Sequence, residues 1–259
     1  MRVAIVGLGR VGTGLANALD DTSLSVERVS GRTGAEIAPA DLVILSVSDA
    51  VIRDVAGRVR AQIRGAAVVH CAGSRGADEL AVLRPTAPVG AFHPLVSFSE
   101  RGAAPVLRGT TFAFSGDDEA KARCRTLTDA LGARLLVADV AGPRYHAAAA
   151  LVANGAAALV HAGVGIFESL GIDRREGELA LGALLRTVAD NVTTVGVPRA
   201  LSGPVKRGDL ETVERHRNAL PDEGRRAYDA VLPVIVACAL DAGLSPELGE
   251  ALLRLREDG

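Results

Sequence analysis

The 259-residue chain has no tryptophan, a single methionine, two tyrosines and five phenylalanines. Aromatic residues make up only 3% while apolar residues make up 48%, so the interior has to be built from Ala, Val and Leu. Side chains this small let backbones approach closely and favour helix packing over an aromatic-rich β-sandwich. Cysteine is scarce as well. Cys71, Cys124 and Cys238 are an odd, widely spaced set, without the density of a disulfide scaffold or the CxxC and Cys/His spacing of a zinc site. A reducing compartment is therefore expected. The net charge is −2 and the isoelectric point about 6.2, which excludes the basic footprint that nucleic acid or an anionic membrane surface requires. No basic, apolar and cleavage-site pattern precedes "RVAIVGLG", and no apolar run is read as long enough to span a membrane. A soluble cytoplasmic protein is the expectation.

What is present falls into two halves, as the length suggests. Residues 1–140 alternate short β-branched runs with helical spacing. The runs are "RVAIVG", "VERVS", "DLVILSV", "AAVVHC", "VGAFHP", "TTFAFSG" and "ARLLVAD", with "RVGTGLANALD" and "DAVIRDVAGRVRAQI" between the early ones. Strands alternating with helices predict a parallel sheet covered on both faces. From Gly142 the pattern changes to helices alone, over 142–170, 173–195, 209–219, 222–243 and 245–257, broken by turns rich in Gly, Pro, Asp and Ser. The expected architecture is an α/β Rossmann-type domain over 1–140 and an all-α domain over 141–259.

"VAIVGLGRVGTGLANAL" sets Gly7, Gly9 and Gly12 between an apolar strand and an amphipathic helix. This order suits a dinucleotide pyrophosphate. Gly7 permits the tight turn, Gly9 lets the anion reach the backbone and Gly12 allows close helix–strand packing, with Leu8, Arg10 and Val11 completing the loop. In an NAD site the second strand ends in an acid that accepts from the ribose 2′-hydroxyl. Here it ends in Ser30, Gly31, Arg32 and Thr33, whose hydroxyls and guanidinium suit a 2′-phosphate, so NADP(H) is the expected cofactor. Glu27 lies too early in the strand to replace the missing acid.

Ser46, Val47 and Ser48 follow a buried strand at the edge where open α/β sheets place ligands. Asp49 is read either as a cofactor contact or as the cap of the next helix. "HCAGSRG" offers Gly73 and Ser74 near the expected nicotinamide position, and "GAFHPLVSF" brings His93 to the same edge.

"VGLGRVGTGLANAL", "HCAGS", "GAFHPLVSF", "YHAAAALVANGAAAL" and "LSGPVKRGDLETVERHRNAL" together resemble the Rossmann-like DUF2520 proteins of the 6-phosphogluconate dehydrogenase-like group. The resemblance implies an NAD(P)-dependent reductase with a helical second domain that dimerises. For some members it implies reduction of 2-dehydropantoate (ketopantoate) to pantoate. Related enzymes use a lysine on the first helix after the Rossmann domain. This chain has only Lys121 and Lys206, and neither lies there.

On that helix stand His146, Asn154 and His161. At 100° per residue, His146 and Asn154 differ by about 80° and Asn154 and His161 by about 20°, so all three share one broad side. His146 is the candidate proton donor and Asn154 the candidate hydrogen-bond donor to a carbonyl or carboxylate, with Ser74 and His93 as catalytic candidates from the other domain. Satisfied core polar groups are the alternative for the helix residues. Arg207 and Lys206, in the "LSGPVKRGD" turn, are candidates for a substrate carboxylate. The competing role for Arg207 and Asp209 is to hold the turn and cap the next helix. His216 is read as structural. A small carbonyl acid is the expected substrate. An imine of the pyrroline-5-carboxylate type and a non-catalytic NADP sensor are the alternatives. No metal, nucleic acid or membrane partner is expected, and a homodimer is.

Overall fold

The computed structural model describes residues 1–32, 36–63, 65–99, 106–138 and 142–256. The chain forms two compact units, Met1–Leu151 and Val152–Gly259. In the first, all seven β-branched runs become strands: β1 (Arg2–Val6), β2 (Ser25–Val29), β3 (Leu42–Leu45), β4 (Ala67–His70), β5 (Val89–Pro94), β6 (Thr111–Gly116) and β7 (Arg134–Val137). They make one sheet in the order β2-β1-β3-β4-β5-β6-β7. β1 pairs with β2 on one side and β3 on the other, so the chain reverses its direction of travel there. The open crevice this creates lies at the carboxyl ends of β1 and β3.

Alternate residues of each central strand serve opposite faces. Ala4, Val6, Val43, Leu45 and Val68 pack with Ile52, Val55 and Val59 of α2 (Ile52–Val59). Val3, Ile5, Leu42, Ile44 and Val69 pack with Leu15 and Leu19 of α1 (Arg10–Leu19) and with Cys124, Leu127 and Leu131 of α3 (Asp118–Leu131). Both faces are covered, which is why these strands read as unbroken apolar runs. The expectation of a parallel sheet holds through β5 and fails at β6, which runs antiparallel to β5. The described residues between them contain no helix, and a chain returning without a crossover helix lays its next strand antiparallel. At this junction Phe92 and Phe112 stack at 4.9 Å, and Phe114 lies where a side chain on Gly90 would stand.

α4 (Pro143–Ser169) begins in the first unit and continues into the second. α5 (Arg174–Val195), α6 (Pro204–Arg207), α7 (Leu210–Ala219), α8 (Asp222–Asp241) and α9 (Pro246–Arg254) follow. α6 is a single turn inside a segment expected to be only a break. Val205, Val213, Leu232, Val236, Ala239 and Leu252 form the core of the second unit. Small residues bring α4 close to its neighbours there: a side chain on Gly163 would meet Leu181 of α5 at 2.8 Å, and one on Gly224 of α8 would meet Ile166 at 2.9 Å. Buried Arg217 grips Asp229 at 2.6 and 3.0 Å, joining α7 to α8.

One expectation needs correction. α4 is 27 residues long and includes a window of mean hydropathy 1.7, so length and composition alone would let it cross a membrane. No Asp, Glu, Lys or Arg lies between Tyr145 and Phe167. Alanine and glycine had disguised the run.

Candidate functional site

The β1–α1 turn is shaped by contacts that only glycine permits. Gly7 has φ +100°, and its N–H donates to Val29 O at 2.9 Å. A side chain there would lie 2.7 Å from Ser46 O, and one on Gly12 would overlap Gly7 O and the Ser46 hydroxyl. Gly9 is different, because nothing stands within 4 Å of where its side chain would be. It caps α1 without a side-chain hydrogen bond, and no acid occupies the helix's first turn. The backbone N–H groups of Arg10 and Val11 therefore open toward space suited to an anion. Leu8 accepts from the Thr13 hydroxyl at 3.1 Å.

Ser46 and Val47, expected as cofactor contacts, also build the turn. The Ser46 hydroxyl donates to Gly7 O at 2.6 Å, and a Val47 methyl fills the space beside Gly7 and Gly31. Beyond the tip of β2 lies a cavity of about 310 Å³ lined by Ser30, Gly31, Arg32, Glu36, Ile37 and Arg58, among others. Arg58, on α2, escaped the sequence reading because 27 residues separate it from the loop it serves. It donates to Gly31 O at 3.5 Å. Glu27 is engaged elsewhere, accepting from the Ala38 N–H at 3.1 Å. Thr33 lies outside the described residues. This set fits a nicotinamide dinucleotide: an uncapped helix end for pyrophosphate and, at the pocket by the tip of β2, the Arg32 and Arg58 guanidiniums together with the Glu36 carboxylate.

Farther along the same edge, Ser48 precedes a 3₁₀ turn at Asp49–Val51, which Asp49 begins rather than caps. The Asp49 carboxylate accepts from the Ser74 hydroxyl at 2.9 Å, a role absent from both expectations for it. The loop carrying Gly73 and Ser74 is tied down by His70. Buried completely, His70 accepts from the Ala72 N–H at Nδ1 and donates from Nε2 to Gly76 O at 2.9 Å. Burial holds its pKa below the ordinary value. Burial also pushes the Cys71 thiol up to about 12, which removes it as a nucleophile at neutral pH.

Against this loop stand three rings. His93 Nδ1 shares a hydrogen bond of 3.0 Å with the Tyr145 hydroxyl, and His93 and His146 meet edge to face at 5.7 Å. A side chain on Gly73 would come within 2.6 Å of His146 Nδ1 and 2.8 Å of His93 Nε2. Burial first, and then the neighbouring His146, lowers the His93 pKa to about 4, with Asp49 opposing. His93 is neutral at pH 7. Tyr145 was missed because a tyrosine beside a chosen histidine carries no motif of its own.

The first unit thus brings together Gly73, Ser74, His93 and His146. Asn154, Lys206 and Arg207 belong to the second unit. Asn154 is exposed on α4, and Lys206 and Arg207 close the single turn of α6. Asp209 caps α7, accepting from the Thr212 N–H at 3.1 Å. His161 lines a cavity of about 450 Å³ with Glu168, Arg174 and Glu223, and His216 stacks edge-on against Tyr228.

The family described as Domain of unknown function (DUF2520) matches residues 110–232. That span includes "YHAAAALVANGAAAL" and "LSGPVKRGDLETVERHRNAL". No curated protein matches the sequence. Among solved structures, protein TM1727 from Thermotoga maritima superposes with a TM-score of 0.67 at 22% identity, over 93% of this chain and 99% of that one. Protein BF3122 from Bacteroides fragilis, provisionally described as an NADP oxidoreductase, gives 0.68 at 21% identity over 90% and 97%. Pyrroline carboxylate reductase from Plasmodium falciparum, solved with NADP bound, gives 0.57 at 10% identity over 99% and 96%. At these identities the likeness is one of fold, a Rossmann-type sheet followed by helices.

Proposed function

Since the chain carries a DUF2520 domain over residues 110–232, overlapping the last strands of a Rossmann-type sheet, we propose that it is an NADPH-dependent oxidoreductase that reduces a small carbonyl acid. The observation carrying this reading is the sharing of one sheet edge by the glycine turn with its two guanidiniums and the Gly73, His93 and His146 cluster. NADPH, when bound, supplies hydride to the carbonyl carbon and leaves as NADP⁺. The chain does the rest. Arg32 and Arg58 hold the 2′-phosphate, and Gly9 with the start of α1 receives the pyrophosphate. His146, exposed to solvent, gives a proton to the carbonyl oxygen as its π pair becomes an O–H bond, and is reprotonated from water. His93, neutral and half-buried, stabilises the same oxygen without losing a proton.

Ketopantoate is the substrate to try first, from the resemblance in sequence. We read α4 as part of the fold rather than a membrane span, because its first turn joins the ring cluster and its later turns pack on α5 and α8. The protein is accordingly proposed to be cytoplasmic, and to be a homodimer through the apolar faces of α4 and α5. The test is NADPH and NADH oxidation measured in parallel with ketopantoate, other 2-oxo acids and cyclic imines. Saturable NADPH oxidation by a 2-oxo acid supports the proposal. Tight NADPH binding with no turnover by any carbonyl or imine would make the protein a nucleotide sensor instead.

A further inference from the structure

We infer that His70 is a positioning residue of the sheet edge: as a neutral imidazole it clamps both ends of the turn that carries Gly73 and Ser74, and protonation of this one ring releases the turn and with it the packing of His93 and His146. Its effect on turnover rests on the reductase reading above.

His70 is the last residue of β4 and is wholly buried. From there its ring spans the turn that follows. Nδ1 accepts from the Ala72 N–H at 3.2 Å, and Nε2 donates to Gly76 O at 2.9 Å. Between those two anchors the chain turns at Gly73 and Ser74. Gly76 O also accepts from the Glu79 N–H at 3.2 Å, so a single carbonyl ties the imidazole to the start of the 3₁₀ helix Ala77–Leu83. The turn is thus held at its entry by one ring nitrogen and at its exit by the other.

Two long-range contacts depend on the shape of this turn. The Ser74 hydroxyl donates to Asp49 at 2.9 Å. Gly73 is packed so closely by two rings that a side chain there would lie 2.8 Å from His93 Nε2 and 2.6 Å from His146 Nδ1. The backbone of Gly73 is therefore the surface against which both rings are set, and a turn that moves takes that surface with it. Displacing a reacting group by about 1 Å costs on the order of a hundredfold in rate. His70 acts through Gly73 on the two rings that the reductase reading gives to the substrate.

Each ring nitrogen has only one role open to it. An N–H on the Ala72 side leaves Nδ1 to accept, and a carbonyl on the Gly76 side leaves Nε2 to donate, so the hydrogen sits on Nε2. A second proton would go to Nδ1 and set it donor against donor with the Ala72 N–H, in a site closed to solvent. The ring takes that proton only by letting Ala72 go. The charged groups facing it are Glu79 and Asp78 of the 3₁₀ helix and Asp49, and Glu79 is itself held by Arg53 at 2.6 Å and Arg75 at 3.4 Å. Burial outweighs the Gly76 bond and these carboxylates and lowers the His70 pKa, so the clamp is closed at neutral pH and opens in acid.

The experiment uses the full chain labelled with ¹⁵N, without nucleotide. At neutral pH, long-range ¹H–¹⁵N spectra should show His70, identified by its loss in His70→Asn, neutral and protonated at Nε2 alone. A proton on Nδ1 overturns the clamp. On acidification the Gly73 and Ser74 amides should shift with the His70 midpoint, and should still do so in His93→Gln, where the other buried ring is gone. Amides that stay in place as the ring titrates, or a chain that unfolds as a whole before it titrates, overturn the release. Two variants separate clamping from space filling. His70→Leu fills the ring's volume and removes both bonds, whereas His70→Asn leaves a gap and keeps an acceptor at the place of Nδ1. Hydrogen exchange at the Ala72 amide should quicken about tenfold in the first variant and less in the second. Space filling alone gives the reverse order, and that result would overturn the proposal. Turnover of ketopantoate should follow the same order, with kcat down about tenfold in His70→Leu and KM for NADPH within about twofold of wild type. A wild-type chain that turns over no carbonyl refutes the reductase reading, and the ring and amide measurements, made without nucleotide or substrate, still decide the clamp.

Discussion

Arg32 and Arg58 reach the tip of β2 from two elements, one from the loop after the strand and the other from α2. A 2′-phosphate between them would accept charge-assisted hydrogen bonds, whereas a bare ribose hydroxyl would gain little. Arg58→Ala should therefore raise KM for NADPH about tenfold, equivalent to ~1.4 kcal/mol, and leave KM for NADH nearly unchanged. Equal rises for both cofactors would remove the phosphate from its role. Two histidines give a second consequence. His70 and His93 are held below the ordinary value of 6.5, in each case first by burial, and His93 reaches about 4. Between those values the unfolded chain binds protons that the folded chain refuses, so stability should fall as pH drops from 6.5 towards about 4. Urea midpoints across that range measure the fall, and His93→Gln should make it shallower. A midpoint that climbs on acidification contradicts the assignment of a neutral, buried imidazole.

The glycine turn shows how an element fixes what a residue can be. Gly12 lies on α1 where any side chain would strike Gly7 O and the Ser46 hydroxyl, so α1 and β1 can meet only if this position is bare. Gly12→Ala should abolish measurable NADPH binding and lower stability by about 1–3 kcal/mol, the usual penalty of overpacking. Gly9→Ala separates the two effects. Its side chain would enter open space, so folding should survive, as judged by an unchanged urea midpoint, while nucleotide binding weakens. The seven strands were legible as apolar runs because helices cover both faces of the sheet. α3 was not identified from the sequence, although Ala120, Cys124, Leu127 and Leu131 recur at helical spacing on one face of an otherwise polar stretch. Nor was the reversal of β6, because strand direction depends on the connection and carries no pattern within the strand.

At the scale of the molecule, the apolar residues left uncovered are concentrated on the long helices. Leu151, Val152 and Leu159 on α4, with Leu179, Leu184 and Val188 on α5, are between 45% and 74% exposed. A second copy of the chain would bury such surfaces against their own equivalents around a two-fold axis. Light scattering should give twice the monomer mass of 26.6 kDa. Val188 stands one turn after Leu184 on α5, and Leu184→Glu with Val188→Glu should yield a monomer that still binds NADPH. A wild-type monomer would return these faces to another purpose.

By itself the sequence determined the strand positions, the glycine turn and the lack of an acid at the immediate tip of β2, because each is local. Periodicity, turn chemistry and the spacing of a loop are written within a few residues of where they act. Only the tertiary structure joined Arg58 to Arg32, Asp49 to Ser74 and Tyr145 to His93. Each pair spans 25 or more positions, and no local pattern records which distant side chains the sheet edge will bring together. The close packing of the His93 and His146 rings against Gly73 belongs to the same class: it exists only after β4, β5 and α4 have been assembled.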